Sequence, residues 1–349
     1  MKKLKPLFCL CMVTGLLAIL AGCPATTVGA DPKGMAYFTY FDTVSYIYSY
    51  AGDSQASFET NCRTASEILE KYHQLFDIYH EYSGVTNLAT LNQNAGGPAM
   101  EVDPALVEFL LYAREMYQTT GGRMNVMLGS VLRLWHDCRE AASQDRENAR
   151  IPEQAALQEA AAHTDLASLE IDEQAHTVRI ADPKASLDVG ALAKGYATER
   201  AAQALEKAGV TSYVLNIGGN IRIIGHKPDG SGWTTGVKDP QNTDQFAARV
   251  VLADTSCVTS GNYERFFTVN GVRYHHIIDP ATNLPAAYFA SVTVITPDSG
   301  LADALSTALF CMSYEEGLAL AEKLGNVQVL WIYPDGSQAK TPELPLLGS

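Results

Sequence analysis

Apolar residues recur at helical spacing early in the chain: Phe58, Cys62, Ala65, Leu69, Tyr72 and Phe76 fall three or four positions apart. They predict an amphipathic helix over 58–79. The preceding stretch, 37–50, is rich in Tyr, Thr, Val and Ile and reads as an opening strand. Pro104 opens a second helix that runs to 117, and 125–139 reads as a third. A polar stretch to Arg150 follows, then a short helix after Pro152. The pattern then changes to short strand-like runs at 177–180, 212–217, 221–224, 250–253, 266–269, 273–278 and 291–295. A helix over 192–208 interrupts them, with Gly209 placed to end it. Residues 301–324 are helical again, and 327–333 form a last strand. No repeat period stands out. This order predicts an α+β fold of mixed, largely antiparallel sheets with packed helices rather than a regular βαβ alternation.

The first residues read as an address. Lys2, Lys3 and Lys5 precede an apolar run over 7–20. That run is shorter than the roughly 18–20 residues of a spanning helix, which favours a signal peptide. It ends in Leu-Ala-Gly-Cys23, which resembles a bacterial lipobox whose Cys is lipidated and becomes the mature N-terminus. An uncleaved anchor helix and an ordinary cleaved signal are the plainer alternatives. The expected organisation is a signal over 1–23, a tether over 24–34 and one domain over 35–340, anchored by lipid on the outer face of the cell membrane.

The chain of 349 residues, 47% hydrophobic, is long enough for one large core or two modest ones. A charged content of 18% argues against disorder. The net charge of -14 makes a poor partner for nucleic acid. It leaves room for a phosphate-bearing ligand, because backbone N–H groups and a cation neutralise phosphate locally. Beyond the signal the cysteines are Cys62, Cys138, Cys257 and Cys311, too few for a disulfide framework. Cys257 and Cys311 lie in apolar surroundings and read as small buried hydrophobes.

Four segments carry more glycine and polar residues than packing requires. In SLDVGALAKGYATER (186–200), Lys194 falls in the first turn of a helix, where free N–H groups and the dipole attract phosphate. A solvated Lys is the plain alternative. In VLNIGGNIRIIG (214–225), Gly218-Gly219 is either a hairpin turn or a place where a bulky ligand approaches the backbone. In the third, TSGNYERFF through YHHIIDP (259–280), His275 and His276 point to opposite faces of a strand, so one can face a cleft. In ADALST (302–307), Asp303 and Thr307 share a helical face and offer two hard oxygens of the kind Mg²⁺ prefers. An Asp that merely complements the helix dipole is the alternative there.

Taken together and in this order, SLDVGALAKGY, LNIGGNIRIIG, SGNYERFF, HHIIDPAT and ADALST resemble the FAD:protein FMN transferase (ApbE-like) family, over about 41–333. LFDIYHEYS with LATLN, and GGRMNV with Leu134-Trp135, match its flavin-side segments more loosely. The resemblance implies an FAD cleft between helical and sheet portions. It implies contacts from Phe41, Tyr79, Arg123, Met124, Asn125, Asp188, Lys194 and Ile278, and Mg²⁺ ligands at Asp303, Thr307 and the main-chain carbonyl of Ala191. His276 matches the histidine that assists transfer, with Asp279 the next candidate. The implied reaction moves FMN from FAD to a Thr or Ser hydroxyl of an acceptor protein, such as a subunit of a membrane redox complex, and releases AMP. An Mg²⁺-dependent FAD pyrophosphatase and a non-catalytic flavin-binding lipoprotein are the alternatives. Three positions depart from the family: Asn283 follows Thr282 where Gly is usual, Met124-Asn125 replaces a small residue and Asp, and Phe41-Asp42-Thr43 replaces Met-Gly-Thr.

The anchor gives the first prediction: Cys23→Ser abolishes labelling by a fatty-acid analogue and impairs maturation. Persistent label in that variant overturns the lipobox reading.

Overall fold

The structure is a computed structural model, and it describes residues 34–344, 346 and 347. Cys23, the signal and nearly all of the tether lie outside the described residues. Eight strands form the main sheet in the order β1-β2-β6-β7-β10-β15-β16-β17. They are β1 (Gly34–Phe38), β2 (Ser45–Ser49), β6 (Ser212–Ile217), β7 (Asn220–Gly225), β10 (Ser256–Gly261), β15 (Ser291–Thr296), β16 (Gln328–Ile332) and β17 (Gln338–Lys340). Every pairing in it is antiparallel. The smaller sheets combine β3 (Met100–Glu101) with β4 (Leu169–Asp172) and β5 (Thr177–Ile180), β8 (Trp233–Asp239) with β9 (Asn242–Leu252), β11 (Phe266–Val269) with β12 (Val272–His275), and β13 (Ile278–Asp279) with β14 (Leu284–Pro285). The helices are α1 (Gln55–Phe76), α2 (Leu88–Gln93), α3 (Pro104–Thr119), α4 (Gly129–Gln144), α5 (Gln154–Ala161), α6 (Ala193–Lys207), α7 (Ser299–Phe310) and α8 (Tyr314–Leu324). Among the described residues no helix is long and apolar enough to cross a membrane.

The α+β reading holds, and its boundaries shift for local reasons. The opening strand is two strands, because Phe41 and Asp42 take left-handed backbone (φ 57° and 53°) and turn the chain back. The first helix stops at Phe76, where Asp77 turns extended and its carboxylate accepts the N–H groups of Tyr79 and His80. The third helix starts at Gly129, not 125, because 126–128 pairs with the strand-like run before α6: Asp188 N–H donates to the Val126 carbonyl, and Leu128 bridges Ser186. The span 301–324 breaks into α7 and α8 at Ser313, which begins α8 with a capping box to Glu316. The run expected at 250–253 is the end of the longer β9, and 273–278 breaks after His275.

Both faces of the sheet are covered, which is why β15 is buried at all six positions. Val292 and Val294 face the main core with α1, α6 and α7, while Ile295 and Cys257 face a second core under the β8–β9 ribbon. A third cluster of Leu128, Val131, Trp135, Phe267 and Ile278 joins α4 to the β11–β13 region. Cys257 and Cys311 are buried free thiols, as expected, and burial raises both of their pKa values.

Beside the main core Arg222 anchors an ionic cluster that includes Glu206 of α6 at 2.7 Å and Asp254 at 3.6 Å. Arg222 on β7 donates to Glu199 of α6 at 3.2 Å, with both side chains almost fully buried. The same Glu199 carboxylate accepts the Ser299 N–H that opens α7. Removing one partner leaves a buried uncompensated charge, so Arg222→Met is expected to cost about 3–5 kcal/mol, and the double change Arg222→Met/Glu199→Met clearly less. Equal losses in urea melts of the two variants contradict this account.

Candidate functional site

A cleft of about 1900 Å³ opens between the helical portion and the sheet. Ligand pockets usually span ~300–1,000 Å³, so this one accommodates a long ligand, or a ligand and part of a partner. Its lining holds as many Lys and Arg as Asp and Glu, whereas the whole chain has 25 against 39. An acidic protein thus keeps one locally balanced concavity that an anion can enter.

The segments LFDIYHEYS and LATLN supply part of the cleft lining. Besides capping α1, the Asp77 carboxylate accepts the Tyr82 hydroxyl at 2.9 Å, which fixes the turn that carries Tyr79. Tyr79 is 59% exposed and faces His136 with ring centroids 5.6 Å apart. The Asn92 side chain of LATLN grips the Leu187 backbone twice, at 2.7 and 2.9 Å, and so fixes the strand that leads to Asp188. Asp188 accepts the Gly190 N–H at 2.9 Å, and burial raises its pKa. Phe41 packs edge-on to His73 at 5.6 Å, and its N–H donates to His73 Nδ1.

Another part of the lining carries the metal-type oxygens. Asp303 is 4% exposed, and its Oδ2 accepts the Gly195 N–H at 2.8 Å with Lys194 Nζ at 3.9 Å. Burial raises its pKa, against the pull of Lys194 and of that N–H. Because the Gly195 N–H points to Asp303, it does not close the i→i−4 bond to Ala191, and no donor among the described residues reaches that carbonyl. Ser260 Oγ lies 3.3 Å from Thr307 Oγ1 and 2.8 Å from Ser306 Oγ, which orients the threonine. Ala191, Asp303 and Thr307 all line the cleft. Among the described residues no three His, Cys, Asp or Glu side chains gather as metal ligands. A cation here would rest on one carboxylate, one hydroxyl and one carbonyl, which suits a hard ion that keeps waters or phosphate oxygens. The orphaned carbonyl and the under-neutralised carboxylate fit such an ion.

Both histidines are among the residues lining the cleft, and their ring partners differ. His275 is buried: its Nδ1 accepts the Ile277 N–H and its Nε2 meets the Ala286 carbonyl at 2.8 Å, so the tautomer is fixed and no lone pair is free. His276 lies just past β12, and its N–H donates to the Arg265 carbonyl at 3.0 Å. Its ring lines the cleft, neither nitrogen has a protein partner among the described residues, and Nδ1 is fully buried. Burial, then Arg265, lowers its pKa to about 3, so it is neutral at ordinary pH.

The remaining expected contacts, Arg123, Met124, Asn125 and Ile278, also line the cleft, with their side chains engaged or packed as follows. Arg123 is held by Asp279 at 3.0 Å and reaches Glu316 at 3.7 Å, so it is no free anion ligand. Asp279 also accepts the Ala281 N–H of its own turn and is not a spare base. Met124 is a core residue, 2% exposed. The Asn125 side chain is engaged with the Met127 N–H and the Thr164 carbonyl. Ile278 is buried against Trp135 at the cleft floor. Gly218 and Gly219 form a two-residue hairpin turn between β6 and β7, and the turn lies in the cleft lining. Asn283 takes φ 60°, the left-handed conformation its place after Thr282 requires. Sequence reasoning assigned no role to Asn92, Ser260 or Gly195; only their place in glycine- and polar-rich segments marked them.

The architecture and this cleft define an α+β protein with one large polar ligand cleft between a helical portion and an antiparallel sheet. The chain belongs to the ApbE family, whose model matches residues 41–331. It is 36% identical to an FAD:protein FMN transferase of Treponema pallidum over 78% of this chain and 80% of the relative. An FAD:protein FMN transferase of Haemophilus influenzae is 29% identical over 89% and 90%. Among solved structures, the ApbE protein of Thermotoga maritima aligns with a TM-score of 0.77 at 28% identity, covering 88% of this chain and 97% of that one. The flavinyl transferase ApbE of Pseudomonas stutzeri, in apo form, aligns at 0.74 and 26%, covering 88% and 94%.

Gly195 gives the next prediction. A Cβ there would overlap the Ser299 carbonyl oxygen and Asp303 Cβ. Gly195→Ala therefore forces α6 and α7 apart, at a cost of about 1–3 kcal/mol. A melting temperature equal to that of the unsubstituted protein would show that the two helices do not need this contact.

Proposed function

We propose that this chain is an FAD:protein FMN transferase dependent on Mg²⁺. The observation that carries the reading is the convergence of a partnerless neutral His276 with Asp303, Thr307 and the free Ala191 carbonyl on one cleft. Asp303, Thr307 and Ala191 would hold the ion, which supplies positive charge to the pyrophosphate oxygens. Lys194, at the start of α6, faces the same phosphates. Tyr79 offers an exposed ring to the flavin. The acceptor's Ser or Thr oxygen bonds to the FMN phosphorus as the bond to the AMP oxygen breaks, and His276 takes the hydroxyl proton. Acceptors of the kind found in membrane redox complexes, and lipid anchoring through Cys23 on the outer membrane face, complete the proposal. The lipobox-like segment supports the anchoring.

The test incubates the chain lacking residues 1–23 with FAD, Mg²⁺ and candidate acceptors. It follows AMP together with flavin fluorescence of the denatured acceptor. AMP without labelled acceptor indicates the pyrophosphatase, and FAD binding without AMP indicates a carrier. Asp303→Ala is expected to lose the Mg²⁺ response, and Thr307→Ala to lose part of it. His276→Ala is expected to slow transfer by roughly 10²–10⁴-fold while keeping FAD binding and melting temperature. His275→Ala should cost stability, about 1–3 kcal/mol, because two buried polar partners are orphaned, yet transfer normally while folded. Equal kinetic loss in both variants removes His276 as the base.

The pH profile adds a signed expectation. A base is lost when it is protonated, so kcat/KM should fall as pH drops through the lowered free-enzyme pKa of about 3 and show no step from His276 near 6.5. A step near 6.5 that vanishes in His276→Ala contradicts the buried-histidine account.

A further inference from the structure

Arg265 stands directly before β11, and Phe266 pairs with His275. The next pair outward is Arg265 with His276, joined by the His276 N–H to the Arg265 carbonyl at 3.0 Å. Residues directly opposite one another on an antiparallel ribbon project to the same face, so Arg265 rises on the side of the ring that lines the cleft. It lines the cleft as well. The other cations there are engaged: Arg123, Arg139, Lys184, Lys194 and Lys238 each lie 2.8–3.9 Å from a carboxylate. Arg133 and Arg265 have no carboxylate partner among the described residues, and only Arg265 is paired to the His276 backbone. The neighbouring Glu264 does not neutralise it, being held by Lys238 at 3.4 Å. Its charge is felt at His276, Asp188 and Tyr79, on three separate segments of the cleft. An exposed, unpaired guanidinium central to those three groups is available for a phosphate, which its planar fork suits.

We propose that Arg265 is a further substrate-binding residue, taking non-bridging phosphate oxygens of the dinucleotide beside His276. This rests on the transferase reading above. Arg265 would hold those oxygens while the acceptor–phosphorus bond forms, the bond to AMP breaks and the proton passes to His276.

The test measures binding of FAD and of riboflavin, which lacks phosphate, to the unsubstituted protein, Arg265→Met and Arg265→Lys, with AMP release followed in parallel. Arg265→Met is expected to weaken FAD roughly 10- to 100-fold and leave riboflavin binding and melting temperature unchanged. Arg265→Lys should recover part of the loss. Unchanged FAD affinity, or equal weakening of both ligands, overturns the proposal. If the unsubstituted protein binds FAD but releases no AMP, the transferase reading fails, and the FAD-to-riboflavin ratio still decides the role of Arg265.

Discussion

Helices α6 and α7 meet backbone to backbone at Gly195, and the site is assembled around that contact. Because no side chain stands between them, the Gly195 N–H reaches Asp303 and leaves the Ala191 carbonyl free. One missing Cβ therefore releases a neutral oxygen, partly balances a buried carboxylate and brings Lys194 close to it. Glu199, one helical turn on, performs a second linking task. It accepts the first N–H of α7 and the Arg222 guanidinium from the sheet, so the axial position of α7 is tied to β7. Asp303 is held in place by main-chain geometry more than by its own side chain.

The order of elements was legible because the periodicities are strong. The helix over 58–76 and the strands β5, β6, β7, β11 and β15 follow from apolar spacing, whereas β8 and the central β10 went unread. Four of the misplaced boundaries share a cause: at Phe41, Asp77, Asn125 and His276 the chain leaves its regular period in order to build the cleft, and periodicity carries no sign of that. Site residues with a distinctive chemical type, such as Asp303, Thr307 and His276, could be named from the sequence. Those that act through geometry could not. Asn92 imitates a strand for Leu187, and Ser260 steadies Thr307, but a single Asn or Ser in a polar segment looks the same whether or not it does so. Arg123 lines the cleft as the resemblance implies, but its pairing with the buried Asp279 has no mark in the sequence.

Asp42 marks a point where the chain departs from what its backbone would choose. It stands in left-handed backbone next to a bulky Phe41 in the same conformation. Asp tolerates that region better than most residues, but two consecutive non-Gly residues there cost on the order of 1–3 kcal/mol each. The turn persists because Phe41 is fixed from both sides, its ring against His73 and its N–H on the same imidazole. The strain lies in the cleft lining, to which both residues belong.

The electrostatics of the cleft join these features into one constraint on chemistry. Burial first keeps His276 neutral, and the cations that would draw a phosphate, Arg265 and Lys194, add to that effect. A neutral imidazole can accept a proton, but one this weakly basic accepts it poorly while the Arg265 charge has no counter-charge beside it. A phosphate placed among these cations offsets their field at the imidazole, so its basicity rises with the arrival of the anion whose transfer needs it. An acceptor hydroxyl entering without a nucleotide would meet a poor base. The pairing of Arg265 with His276 across one ribbon thus links substrate charge to base strength through a single backbone register.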